Sequence, residues 1–315
     1  MIKKERENPP TLKKYEALLR LLPTNHPKRK ILEEEHRNIR AGYHGEKELD
    51  YHLSLLPEDE FLIFQGLHLP KVQMDTLLLS PSFGVIIESK NFSGTLHFDS
   101  ESGQFTRTLH QNKQGFSDPI LQVNRQKLRF QQWLTQHKVK PLPLHVLVAI
   151  SFPSTLLETD RTNSHIFKIV THAERIPSKI LALPQAEKPM LSLQQLKKLT
   201  TLLLQENTSP STDILQKHPI HPRDFTPGIP CPNCKPLTMT RAHGLWICPH
   251  CQHKDKLAHL QPIQDYLAIL GQLSNQQCQQ LLQLPSPQLV SRLLAAMKLP
   301  HRGQNKGRIY LSPEL

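Results

Sequence analysis

Long hydrophobic runs are missing from this sequence of 315 residues. No segment approaches the roughly 20 apolar residues that a membrane-spanning helix needs. The first residues, MIKKERENPPTLKK, also lack the apolar stretch of a signal peptide. We therefore expect a soluble, cytoplasmic protein with no membrane partner.

Cysteine is scarce, since the chain has only five. Four of them form two CxxC pairs separated by thirteen residues: Cys231, Cys234, Cys248 and Cys251. In an intracellular protein such pairs more often hold a metal than form disulfides. A redox role fits poorly, because neither pair opens a helix in a thioredoxin-like context. Four thiolates complete a closed tetrahedral Zn²⁺ site, so we expect a structural zinc ribbon.

Acidic residues are unevenly distributed and are concentrated in residues 41–100. The formal net charge is +12, yet residues 41–100 carry nine Asp and Glu against three Lys and Arg. A basic chain suggests a polyanionic partner, either nucleic acid or an anionic membrane face. An acidic pocket in basic surroundings suits a divalent metal placed against phosphate. A solvated surface of mixed charge explains the composition equally well.

The hydrophobic pattern predicts a mixed α/β domain that ends near residue 205. Helical spacing of apolar residues predicts helices over residues 12–22, 28–40, 118–134 and 192–205, with a further helix starting after Gly45. Short apolar runs between turn residues predict strands over residues 61–69, 72–79, 83–90 and 94–98, and in the segments PLHVLVAISFP and IFKIV.

Three charges flank the predicted hairpin QMDTLLLSPSFGVIIESKN. Asp75 lies on its first strand, and Glu88 and Lys90 share a face of the second because side chains alternate along a strand. Two carboxylates and an ammonium at one end of an apolar sheet suit metal-assisted phosphodiester hydrolysis. The alternative is a cross-strand ion pair at the rim of the sheet.

Four segments together resemble a known family. GYHGEKELD, QMD, GVIIESKNFSG and DPILQVNRQ resemble, in order and spacing, the nuclease-related domain (NERD), a branch of the PD-(D/E)XK nuclease superfamily. The resemblance covers roughly residues 37 to 155. It implies a restriction-endonuclease-like fold, which is a mixed sheet flanked by helices.

The resemblance also implies a role for each residue at a motif position. Asp75 and Glu88 correspond to the metal-binding carboxylates, and the expected cofactor is Mg²⁺ or Mn²⁺. The remaining motif positions are the catalytic lysine, the acidic residue of the preceding helix and the glutamine of the helix after the core sheet: Lys90, Glu46 and Gln122.

The helix that begins after Asp118 carries a polar face. Gln122, Arg125, Gln126 and Arg129 are spaced to lie on one side of it. We expect Arg125 and Arg129 to contact backbone phosphates, since Arg supplies a planar fork of donors. We expect apolar contacts from Leu121, Leu128 and Trp133. A solvent-exposed face without a ligand is the alternative.

The end of the chain predicts a winged helix-turn-helix with helices over residues 275–283 and 287–297. Between Asp265 and Glu314 there is no acidic residue, and five basic residues occur: Arg292, Lys298, Arg302, Lys306 and Arg308. A recognition helix and a basic wing on DNA would use this distribution, with Arg292, Arg302, Lys306 and Arg308 as contacts. A helical protein-interaction module is the alternative.

The predicted order of domains is a helical arm over residues 1–36, a NERD domain over 37–205, a linker over 206–230, a zinc ribbon over 231–256 and a winged-helix-like domain over 257–315. We expect a Mg²⁺-dependent nuclease that hydrolyses DNA, with RNA as the less favoured substrate. The alternative is a nucleic-acid-binding or regulatory protein that uses the nuclease fold as a scaffold. The intact Asp75, Glu88 and Lys90 favour the nuclease.

Overall fold

The computed structural model describes residues 1–99, 101–184, 189–208, 213–235 and 239–313. These residues divide into two compact units. The first unit contains residues 1–8 and 39–210, and the second contains residues 9–38 and 211–315. None of the described helices is both long and apolar enough to cross a membrane.

The helices and strands are numbered along the chain. The helices are α1 (Pro10–Leu21), α2 (Arg29–Leu53), α3 (Pro119–Gln136), α4 (Ile176–Leu181), α5 (Leu193–Glu206), α6 (Ile214–Lys217), α7 (Leu260–Leu270), α8 (Asn275–Leu282) and α9 (Pro287–Ala296). The strands are β1 (Ile2–Lys4), β2 (Leu62–Leu69), β3 (Val72–Leu79), β4 (Gly84–Lys90), β5 (Thr95–Phe98), β6 (Phe105–Leu109), β7 (Asn112–Phe116), β8 (Leu144–Ile150), β9 (Leu156–Thr159), β10 (Val170–His172), β11 (Thr240–Ala242), β12 (Leu245–Ile247), β13 (Lys254–Asp255), β14 (Gln272–Ser274), β15 (His301–Arg302) and β16 (Ile309–Leu311).

A mixed six-stranded sheet forms the centre of the first unit, in the order β1-β2-β3-β4-β8-β10. β2, β3 and β4 pair antiparallel, whereas β8 lies parallel to β4 and to β10. Side chains of α3 and α5 pack on one face, and side chains of α2 and α4 pack on the other. The predicted mixed sheet flanked by helices is confirmed, and the strand bounds from β2 to β5 agree with the predicted ones within one residue.

Helix α2 differs from the prediction. It is one continuous helix from Arg29 to Leu53, so Gly45 lies in its interior rather than before its first turn. Glycine disfavours a helix interior by about 1 kcal/mol relative to alanine, which made Gly45 look like a boundary. A Cβ atom at this position would lie 2.5 Å from Cβ of Asn91 and 3.3 Å from Cβ of Ser151. The glycine therefore allows α2 to approach the chain just after β4 and β8.

A second sheet of the first unit, in the order β7-β6-β5-β9, includes a hairpin that the sequence did not predict. Its turn residues His110 and Gln111 have φ values of 48° and 67°. Such turns usually carry Asn-Gly or Asp-Gly, and this one has neither signal. The segment IFKIV also differs from the prediction, because Ile166 to Lys168 belong to a 3-10 helix and the strand begins only at Val170.

In the second unit, the predicted linker contains structure of its own. Helix α6 lies within it, and four of its apolar residues are buried: Ile214, Ile220, Phe225 and Ile229. Their irregular spacing among prolines gave no periodic signal. Strands β11, β12 and β13 form a small antiparallel sheet around the cysteines.

The remaining elements follow the order α7, β14, α8, α9, β15 and β16. β14, β16 and β15 form a three-stranded antiparallel sheet. Ser274 and Ser286 cap α8 and α9, because each side chain accepts a hydrogen bond from a backbone N–H in the first turn. The winged helix-turn-helix assignment and the domain boundaries stay predictions.

Candidate functional site

Asp75 lies where β3 and β4 stop pairing. The last residues paired across these strands are Thr76 and Ile87. One step further, Asp75 Oδ2 accepts a hydrogen bond of 2.9 Å from the backbone N–H of Ser89. A carboxylate thus replaces the backbone partner of β4, and the Asp75 side chain faces the residues that follow Ile87.

Glu88 is the centre of a hydrogen-bond network. It is 2% exposed, and its Oε1 accepts hydrogen bonds from Lys90 Nζ and from Gln122 Nε2, both at 2.6 Å. Its Oε2 accepts one from Gln126 Nε2 at 2.7 Å. Three donors therefore fix the orientation of this buried carboxylate. Charge-assisted hydrogen bonds of this kind are the stronger ones in proteins.

Lys90 and Gln122 complete the network from β4 and α3. Lys90 Nζ also donates to Gln122 Oε1 at 3.0 Å, so the amide contacts the lysine and the glutamate together. Gln122 and Gln126 are one helical turn apart, which allows both to reach Glu88. Gln126 Oε1 is buried and has no hydrogen-bond partner among the residues that the structure describes.

Successive side chains of β4 point to opposite faces of the sheet, as predicted. Glu88 and Lys90 face α3, whereas the Ser89 hydroxyl lies 3.0 Å from the hydroxyl of Ser151. The Ser151 hydroxyl in turn donates to the carbonyl of Gly45 at 2.7 Å. Ser89 is therefore linked to α2 through Ser151, while its two neighbours on β4 contact α3.

The carboxyl groups of Asp75 and Glu88 both have raised pKa values. Burial, followed by the charge of Glu46, raises the pKa of Asp75 to about 6. Burial, followed by the charge of Asp75, raises the pKa of Glu88 to about 7. Two buried carboxylates that repel each other are stabilised by a nearby cation. A strongly perturbed pair of this kind is also typical of functional sites.

Glu46 belongs to α2 and lies close enough to Asp75 for its charge to act on that carboxyl. Its Oε2 accepts a hydrogen bond from Arg6 Nη1. Arg6 also binds Asp50 through two nitrogens, at 2.7 and 3.0 Å, and donates to the carbonyl of Asp75 at 2.8 Å. Burial raises the pKa of Glu46, while Arg6 opposes that shift.

Oxygen donors of this type fit a divalent cation. Carboxylates are the ligands that Mg²⁺ and Mn²⁺ prefer, and the pKa values of Asp75 and Glu88 are raised first by burial and second by a neighbouring carboxylate, both of which a bound cation would oppose. Within the described residues, however, no group of three Asp, Glu or His side chains has its ligand atoms within 4.8 Å of one another. The residues present therefore fit a site built on two carboxylates.

Comparison with protein families identifies the domain that contains this site. The family model described as the nuclease-related domain matches residues 41–151. Residues 41–151 are a nuclease-related domain. The NERD domain includes Glu46, Asp75, Glu88, Lys90 and Gln122, but neither Arg6 nor the cysteines. No curated protein and no solved structure matches the chain.

The fold of the NERD domain suggests a nuclease-like activity, a divalent metal and binding of nucleic acid. Three of the five predicted site residues, Glu88, Lys90 and Gln122, form one hydrogen-bond network, and Asp75 accepts a hydrogen bond from the backbone N–H of Ser89, next to Glu88 in sequence. Glu46 instead contacts Arg6, which no sequence pattern marks. Gln126, on the predicted polar face of α3, lies one helical turn from Gln122 and donates to Glu88 as well, so this spacing is the signal that could have identified it.

The arginines of α3 lie away from this network. Arg125 and Arg129 are exposed, and Arg129 donates to the carbonyl of Lys71 at 3.1 Å. Two of the expected apolar contacts of this helix were wrong, because Leu121 and Leu128 are 55% and 56% exposed. The buried residues of α3 are Pro119, Val123, Gln126, Phe130, Trp133 and Leu134. The helix is therefore rotated relative to the predicted apolar face.

The four cysteines of the second unit form a compact cluster. All four Sγ atoms lie within 4.8 Å of one another. The pairs Cys231–Cys251, Cys234–Cys248 and Cys234–Cys251 are separated by 3.5, 3.4 and 3.3 Å. Zn–S bonds of about 2.3 Å in a tetrahedron require sulfur atoms roughly 3.8 Å apart. The cluster therefore fits zinc bound by four thiolates, as the sequence predicted.

The basic residues near the end of the chain differ in exposure. Arg292 and Arg302 are exposed, and Arg302 Nη2 donates to Gln272 Oε1 at 2.9 Å. Arg308 is half-buried, and within the described part of the chain its Nε atom has no hydrogen-bond partner. The side chain of Lys306 lies outside the described part of the structure. Their role in binding nucleic acid stays a prediction.

Proposed function

We propose that this protein is a metal-dependent nuclease that hydrolyses phosphodiester bonds in DNA. The observation that carries the proposal is the network in which Lys90 and Gln122 meet on one oxygen of buried Glu88. A rim ion pair would need only the lysine and the glutamate. The additional amides, the adjacent Asp75 and the nuclease-related family of this segment support a catalytic arrangement.

Asp75 and Glu88 would hold the metal, for which Mg²⁺ is the proposed ion and Mn²⁺ a substitute. When bound, such an ion acts as a Lewis acid on the scissile phosphate and lowers the pKa of a coordinated water. The Ser89 N–H orients Asp75, and Gln126 orients Glu88. Oriented carboxylates need little rearrangement before they bind a ligand.

We propose that the Lys90 ammonium lies beside the attacking water and donates a hydrogen bond there. The ammonium contacts Glu88 and Gln122, so it is held next to a carboxylate that would bind the metal. Gln122 holds the lysine in this orientation. An ammonium in this position stabilises the negative charge that develops on the phosphate during the reaction.

The second unit is proposed to deliver the substrate. Zinc in a closed site of four thiolates has no open coordination position, so its proposed role is structural. The exposed Arg292 and Arg302, with Lys306 and Arg308, are proposed to contact phosphates. Such contacts give affinity without sequence specificity.

The proposal is tested by incubating the purified protein with single-stranded, double-stranded and branched DNA, and with RNA. Each substrate is combined with Mg²⁺, Mn²⁺ or EDTA. The expected result is cleavage of at least one DNA substrate with Mg²⁺ or Mn²⁺ and no cleavage in EDTA. Binding without cleavage under every condition would favour the alternative of a non-catalytic scaffold.

A further inference from the structure

Arg6 is a buried cation in the acidic site, although it lies outside the NERD domain. Its side chain is 5% exposed. The guanidinium binds the carboxylates of Glu46 and Asp50, the carbonyl of Asp75 and, at 3.3 Å, the hydroxyl of Thr76. All three guanidinium nitrogens are therefore engaged on groups around Asp75.

The backbone near Arg6 is fixed as well. Strand β1 pairs with β2, and the backbone N–H of Arg6 donates to Gln65 Oε1 at 3.0 Å. Gln65 is 5% exposed and lies on β2, opposite Thr76 of β3. The strand therefore places Arg6 at one position next to the end of β3. A planar guanidinium held on several acceptors is also hard to replace by lysine.

The net negative charge of the site matches the charge of one divalent cation. Four carboxylates act on one another here, from Glu46, Asp50, Asp75 and Glu88, against the two cations Arg6 and Lys90. With every group ionised, the four carboxylates outnumber the two cations by two, so the site has two excess negative charges. One divalent ion on Asp75 and Glu88 neutralises them. A second would have to compete with the guanidinium for Glu46.

We propose that Arg6 is a positioning residue that occupies the second cation position of this site. By binding Glu46 it restricts the site to one divalent ion, held by Asp75 and Glu88. This inference rests on the proposed function in one respect, which is that Asp75 and Glu88 bind one divalent ion. It explains why Glu46, Asp75 and Glu88 do not gather as a three-carboxylate cluster within the described residues.

The test counts bound Mn²⁺ by electron paramagnetic resonance in zinc-loaded protein, for the parent and for Arg6→Met. The parent should bind one Mn²⁺, and Arg6→Met should bind two, because the variant frees Glu46 and adds one net negative charge. Arg40→Met is the matched control, since Arg40 is exposed on α2, and it should bind one. The double variant Arg6→Met with Glu46→Gln should return to one.

The possible results separate the two claims. One ion in both the parent and Arg6→Met would overturn the role of Arg6 and leave the two-carboxylate site intact. No ion in the parent would contradict the proposed function. The Arg6 inference would then stand only if Arg6→Met gained an ion, and would be overturned if it gained none.

A milder substitution covers the case in which Arg6→Met does not fold. Glu46→Gln keeps the size of the side chain and can still accept a hydrogen bond from Arg6. Since Arg6 already binds Glu46, this variant should still bind one Mn²⁺, with an affinity lowered only by the loss of one nearby charge. Binding of no Mn²⁺ by a folded Glu46→Gln protein would identify Glu46 as a metal ligand and overturn the inference.

Discussion

The backbone N–H of Ser89 donates to the carboxylate of Asp75 at 2.9 Å, one residue beyond the last pairing of β3 with β4. This contact connects the fold to the proposed chemistry. The two strands separate where their side chains become charged, and the hydrogen bond orients Asp75 beside Glu88. A sheet edge of this form can present two carboxylates to one ligand.

The approach of α2 to β4 predicts opposite effects for two glycines of the same helix. Gly45→Ala should destabilise the fold by about 1–3 kcal/mol, because the new Cβ would overlap Asn91. Gly42→Ala is the matched control. A Cβ there meets nothing within 4 Å, and the change should stabilise the fold by up to about 1 kcal/mol. Urea unfolding of both variants measures the difference, and equal effects would contradict this account of α2.

Removing the charge of Glu88 should stabilise the metal-free protein. Its pKa is raised from 4.5 to about 7, so the folded state holds this proton more tightly than the unfolded chain does. The parent in EDTA therefore loses stability as the pH rises from about 4.5 to about 7. Glu88→Gln should be more stable than the parent at pH 8, by on the order of 2 kcal/mol.

The stability comparison needs a second pH and a control. The advantage of Glu88→Gln should disappear below pH 4.5, where the parent carboxyl is protonated in both states. Glu158→Gln changes an exposed carboxylate and should show little difference at either pH. A Glu88→Gln protein less stable than the parent at pH 8 would indicate that the Lys90 ion pair dominates, as the scaffold alternative expects.

The cysteine cluster predicts one zinc per chain, independent of the proposed catalytic metal. Metal analysis of protein purified without chelators should find about one zinc. Replacing Cys231 and Cys248 together by serine should abolish it, because serine is a poor ligand for this ion. Cys278→Ser is the control, since Cys278 is buried and lies outside the cluster. Parent protein without zinc would contradict the site.

The basic residues near the end of the chain predict a salt-dependent contribution to DNA affinity. Neutralising Arg302, Lys306 and Arg308 together should weaken binding to all sequences and reduce the salt slope by about one for each lost phosphate contact. Equal neutralisation of exposed lysines elsewhere is the control: Lys138, Lys197 and Lys198. An unchanged salt slope in the first variant would point to a protein partner instead.

The sequence predicted those parts of the structure that depend on local pattern. Strands β2 to β5 follow from short apolar runs between turn residues, and α3 follows from Asp118, whose side chain caps the helix at Ile120. The meeting of Glu88, Lys90 and Gln122 was expected from motif order rather than from periodicity. These features need little information from distant parts of the chain.

Arg6 could not be predicted because its partners are distant in sequence. It lies 40 residues from Glu46 and 69 from Asp75, and no periodic pattern marks it. The short strand β1 places it, and a parallel edge strand of three residues gives almost no signal in composition. The continuity of α2 was hidden for a different reason, since a tertiary contact at Gly45 outweighs helix propensity.

A single cleavage assay measures whether Asp75 and Glu88 bind the metal that cleaves DNA. Parent and Asp75→Asn proteins, prepared identically and matched in zinc content, are incubated with the DNA panel in Mg²⁺ or Mn²⁺, and the cleavage rates are compared. We expect metal-dependent cleavage by the parent and at least a hundredfold lower rate for Asp75→Asn, which is about 2.7 kcal/mol of lost transition-state stabilisation. Equal rates for the two proteins, or no cleavage by a folded parent on any substrate, would contradict this expectation.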